Sequence, residues 1–275
     1  MTSYAGVGTI PRLAHVGRVT QARVAVSEWT KLRSLRSTRW SLLAAVLLAI
    51  GLPVLFAFVT SSHWGSMSPH DRADRHPLDI ALAGVNVSQL AIAVLGVLVI
   101  TGEYSTGMIR ASFSAVPKRL PVLWAKTFVF AVVTFLLMVP SVLAAFFSSQ
   151  AILSRHHASY SWSHPGVARA VIGAALYLVV VALLTLGLGA ITRNTAGGIV
   201  AFAAIFFVLP PLMNVLPTSW NNAISKYLPS NAGRAIISIT HDSNSLRPWT
   251  GFALFCGYAA LALAIAAVLL VRRDT

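Results

Sequence analysis

The chain has 275 residues, 56% of them hydrophobic and only 10% charged, with a mean hydropathy of +0.75. A soluble domain carries roughly 25% charged residues, so this composition excludes an ordinary water-soluble fold, and the length fits a single membrane domain. The net charge of +14 would suggest nucleic acid for a soluble protein, but here the basic residues mostly precede or separate apolar runs, where anionic lipid is the matching partner and no nucleic acid is expected.

Residues 1–18 hold Gly6, Gly8, Pro11 and Gly17 without apolar periodicity and read as a loose basic tail. Over 19–39, Ala22, Val26, Trp29 and Leu32 recur at helical spacing, with Arg23, Ser27, Thr30, Lys31 and Ser34 on other faces. That pattern predicts an amphipathic interfacial helix. It either helps dock a partner or only anchors the chain at the headgroups, and the two roles are compatible.

Residues 40–273 read as a six-span domain, because crossing the hydrocarbon takes about 20 apolar residues. The predicted spans are 40–59, 80–100, 127–147, 170–191, 198–215 and 251–271. Pro53 and Pro140 predict kinks in the first and third, and Pro210-Pro211 an early stop or bend in the fifth. A first span near residue 40 lies too far along the chain for a cleavable signal peptide. Fourteen of the 21 basic residues fall before the first span, after the second and fourth, and at the end. The positive-inside rule then predicts cytosolic termini.

The segment Gly102-Glu103-Tyr104-Ser105-Thr106-Gly107-Met108-Ile109-Arg110 is the richest in the chain. Glu103 is one of only seven acidic residues. Gly102 and Gly107 permit sharp turns, and Met108, Ile109, Phe113 and Val116 offer apolar contacts. One reading is a surface element that receives a partner. The other is an ordinary basic loop with Glu103 neutralised by Arg110 or Lys126.

Within the spans, Asn86, Ser88 and Gln89 form the most polar patch. Asn86 and Gln89 are candidates to line a substrate path, although such groups more often hydrogen-bond across a helix interface. The stretch from Leu216 to Pro248 predicts short surface or re-entrant helices broken at Pro229-Ser230-Asn231-Ala232-Gly233. Two outer histidine groups, His63, His70 and His76 and then His156, His157 and His164, lack regular ligand spacing, and no metal is expected there.

Ser27-Glu28-Trp29-Thr30-Lys31-Leu32-Arg33-Ser34, a first span, the Gly102 to Arg110 element and Pro117-Lys118-Arg119 together resemble the permease subunits of bacterial type-2 ABC transporters. The resemblance covers essentially the whole chain. It implies an all-α polytopic bundle in a bacterial plasma membrane and a coupling element containing Glu103, Tyr104, Gly107 and Arg110. It also implies a partner ATPase subunit that supplies ATP and Mg, and a second permease copy or paralogue. No Gly-x-x-x-x-Gly-Lys-Ser/Thr phosphate loop occurs, so no cofactor and no catalysis are expected in this chain itself. No acidic residue lies well inside a predicted span, which argues against a proton antiporter. The alternative reading is a structural or sensory membrane protein.

Overall fold

The computed structural model describes residues 20–73, 76–108, 119–239 and 244–272. In chain order the elements used below are α1 (Gln21–Ser34), α2 (Arg36–Ser62), α3 (Pro77–Ser105), α4 (Arg119–Leu153), α5 (Val167–Thr192), α6 (Thr195–Met213), α7 (Pro229–Arg234) and α8 (Pro248–Arg272). Six of them, α2 to α6 and α8, are long and apolar enough to cross a bilayer. The chain is an all-α, multi-pass membrane bundle. The predicted tail over 1–18 lies outside the described residues.

Burial orders the bundle. In α5, 72% of the apolar window is buried, against 22% in α2 and 17% in α6, so α5 stands at the centre and the other two at the margin. α5 packs against α3, α4 and α8, and α2 leans on α3 and α4.

Pro53 sits inside α2 and frees the carbonyl of Ala49. Gly84 of α3 closes on that spot: a Cβ there would lie 2.6 Å from Ala49 O and 2.8 Å from Pro53 Cδ. One turn away, Ser88 donates to Ala45 O at 3.0 Å. The neighbouring helix thus covers the backbone that the proline leaves exposed.

The fifth span starts and stops earlier than predicted, at Thr195 and Met213. Its turn over Ala204–Val208 is π-helical, with Leu209 N–H reaching Ala204 O. Pro210 and Pro211 have no amide hydrogen to donate, and the wider turn before them absorbs the mismatch without breaking the helix.

Two further expectations need correction. Pro229 to Gly233 is not a break but the body of α7, with Pro229 at its first turn, where a missing donor costs nothing. α7 is pressed into the bundle: a Cβ on Gly233 would sit 2.7 Å from Tyr177 Cε2. The helices at the second and third spans also run past the predicted windows. α3 continues to Ser105, and α4 begins at Arg119, well before the predicted 127.

Candidate functional site

At one end of the bundle, called the α1 end here, α1 meets the last turn of α3 and the start of α4. α1 begins at Thr20, whose Oγ1 accepts from Arg23 N–H, and ends at Leu35, where the backbone turns extended. Its buried stripe is Val24, Glu28 and Leu32, spaced by four. Two of these are apolar. The third is a carboxylate only 2% exposed.

A buried carboxylate must be paired, and Glu28 is. Its Oε1 accepts from Lys31 Nζ at 2.6 Å and its Oε2 from Lys126 Nζ at 2.5 Å. Glu103 Oε1 accepts from the same two ammoniums, at 3.0 Å from Lys31 and 2.9 Å from Lys126. The four side chains close a ring of alternating charge that joins α1, α3 and α4. Lys126 and Glu103 are 3% and 7% exposed. Burial opposes the charge on Lys31, but the hydrogen bond to Glu28 and the charge of Glu103 outweigh it and hold the ammonium above its ordinary pKa. Glu103 Oε2 is buried with no hydrogen-bond partner among the described residues. Beside the ring lies a cavity of about 250 Å³, walled in part by Leu32, Leu35, Leu98, Val99 and Met108.

Tyr104 follows Glu103 but faces other helices. The guanidinium of Arg193 lies over its ring, 5.2 Å from the centroid. Arg193 ends α5 in the left-handed region at φ 52°, and its Nη2 reaches Leu269 O of α8 at 3.4 Å. A cation at two helix C-termini also complements their dipoles. Thr101 and Thr195 join α3 to α6 through hydroxyls 2.8 Å apart.

After Ser105 the helix closes. Thr106 N–H bonds to Gly102 O and Gly107 N–H to Tyr104 O. Gly107 has φ 71°, the left-handed turn that ends many helices. Gly102, expected to turn, is helical instead.

The residues singled out from sequence separate as follows. Glu103 and Tyr104 belong to the last turn of α3, not to a loop, and Met108 is exposed just beyond. Ile109, Arg110 and Phe113 lie outside the described residues. Lys126 does neutralise Glu103; the alternative through Arg110 lies outside them too. On α1, Leu32 is buried, whereas Val26 and Trp29 are 64% and 48% exposed on the opposite side. Gln89 is buried and accepts from the Tyr177 hydroxyl at 2.6 Å, an interhelical bond between α3 and α5. Asn86 faces out with Val87 and Leu90. Of the outer histidines, His156 stacks on Trp64 and lies 3.0 Å from Ser61 Oγ. Among the described residues no group of three or more His, Cys, Asp or Glu side chains could hold a metal ion.

Sequence reasoning did not single out Glu28, Lys31, Lys126 or Arg193 as site residues. The available signal was Glu28 itself, one of seven acids, placed four residues from both Val24 and Leu32.

Comparison with protein-family models and with curated proteins found no match.

Proposed function

We propose that the chain is the permease subunit of an ATP-driven exporter of the type-2 ABC class, with hydrolysis in a separate ATPase subunit. The observation that carries this reading is the grip on the last turn of α3. Glu103 is tied to α1 and α4, and Tyr104 to α5 and α8 through Arg193. A segment leaving α3 at Gly107 therefore starts from a turn wired to most of the bundle. Force applied to that segment would reach five helices at once.

The α1 end faces the cytosol in this reading, in keeping with the excess of basic residues there. ATP and Mg bind the partner subunit, and a second permease copy or paralogue completes the transport path. Asn86 supports the second copy. An amide on an outward face within the bilayer costs less against another polar surface or a wet path than against hydrocarbon.

The test is a mild-detergent pull-down of the full chain from its native membrane, with mass spectrometry and an ATPase assay on the eluate. A stoichiometric phosphate-loop ATPase, lost on Arg110→Glu while membrane insertion persists, is the expected result. Absence of any ATPase, under conditions that preserve other membrane complexes, would overturn the reading in favour of a structural or sensory protein.

A further inference from the structure

The charge ring has a consequence for the arginines next to it. Among the described residues, Glu28 and Glu103 are the acids at the α1 end, and both are consumed by Lys31 and Lys126. Arg36 and Arg39, on the first turn of α2, are exposed, and their guanidiniums make no hydrogen bond or ion pair to any described residue. Two guanidiniums are thus left without an anion among the described residues.

They do not stand on a polar surface. With Trp40 and Leu43 they line an open hollow of about 460 Å³. Arg36, Trp40, Leu43 and Leu47 are spaced by four, three and four, so they form one stripe down α2. Trp40, Leu43 and Leu47 are 69%, 45% and 61% exposed. The stripe starts with cations, passes an indole suited to the headgroup level, and continues as bare hydrocarbon over roughly 16 Å from Arg36 to Leu47 at 1.5 Å per residue. That order of chemistry, cation then amphipathic ring then alkyl surface, is the complement of a phospholipid with a net negative headgroup.

We propose that Arg36, Arg39, Trp40 and Leu43 form a seat for an anionic phospholipid in the leaflet at the α1 end. The two arginines bind the headgroup phosphate, where guanidinium forks match its oxygens. One acyl chain lies along Leu43 and Leu47. This site is independent of whether the protein transports anything.

The full chain in mild detergent is mixed with equal amounts of phosphatidylglycerol and phosphatidylcholine of the same acyl chains, and retained lipid is counted by native mass spectrometry. Phosphatidylglycerol should be retained preferentially by the wild type. At about 1 kcal/mol per arginine, Arg36→Gln with Arg39→Gln should weaken that retention about thirtyfold. Arg155→Gln, at the other end of the bundle, should leave it unchanged. Melting temperature verifies that each variant is folded, and both arginine positions are exposed. Equal retention of the two lipids, or a preference that survives the double substitution, overturns the proposal. So does a double variant that keeps its lipid but loses a co-purifying protein, which would make the hollow a protein-docking surface.

Discussion

Glu103 and Tyr104 are neighbours in sequence, yet their side chains are held by different halves of the bundle. Glu103 is bound to Lys31 of α1 and Lys126 of α4, and Tyr104 lies under Arg193 at the end of α5. On a helix, adjacent residues point about 100° apart, so one turn can serve two sets of partners. The last turn of α3 cannot shift without disturbing both.

Removing one member of the ring should be costly. Lys126→Met leaves two buried carboxylates with Lys31 alone, and breaking a buried pair in this way typically costs about 3–5 kcal/mol. Thermal unfolding of the detergent-solubilised chain measures it. In a double-mutant cycle, Glu28→Gln with Lys126→Met should cost clearly less than the two single changes added together. Simple additivity would mean that the two groups do not interact.

The Tyr104 contact is separable from its ring shape. Tyr104→Phe keeps an aromatic face for Arg193, whereas Tyr104→Leu removes it and should lose about 0.5–2 kcal/mol. The same melting assay distinguishes them. Equal losses in the two variants would assign the effect to the hydroxyl instead.

Gly84→Ala should destabilise the chain by about 1–3 kcal/mol, because a Cβ would press on Ala49 O and Leu48 O, which are backbone and cannot turn aside. Gly51→Ala, with nothing within 4 Å of its Cβ position, is the control and should be neutral or slightly stabilising. A reversed order would refute the close α2–α3 approach.

Lys31 gives a pH dependence with a definite sign. Its folded pKa lies above the ordinary 10.5, so the folded state holds the proton more tightly than the unfolded one. The stabilisation is complete below the ordinary value and is lost as pH rises through the raised one. Proteolysis of α1 should therefore show no Lys31-dependent change near neutrality and should increase above pH 10.5. Lys31→Met should abolish that alkaline increment.

Much of the fold was legible because hydrocarbon imposes a length, and six runs meet it. The ends of the helices were not. An apolar window stops at a charge, but α3 carries Glu103 and Tyr104 within its last turn because Lys31 and Lys126 neutralise the carboxylate there. Glu103 was picked out as one of only seven acids, and Tyr104 through the family resemblance alone. Glu28 was passed over because a carboxylate on a buried stripe runs against the pattern of burial, and what permits it lies 98 residues away in Lys126. Likewise Val26 and Trp29 share a face by spacing, but in a membrane protein apolar spacing does not say whether that face meets lipid or protein.

The separation between Glu28 and Lys126 also sets a timetable for biogenesis. Among the described helices α1 is made first, and Lys126 follows Glu28 by 98 residues, after two spans have been made. Until then Glu28 has only Lys31 of its own helix, and α1 must wait at the membrane surface. The earliest of the described helices is thus the one whose seat is finished late. A nascent chain arrested before α4 would still offer α1 to a protease, and one arrested after the third span had inserted would not.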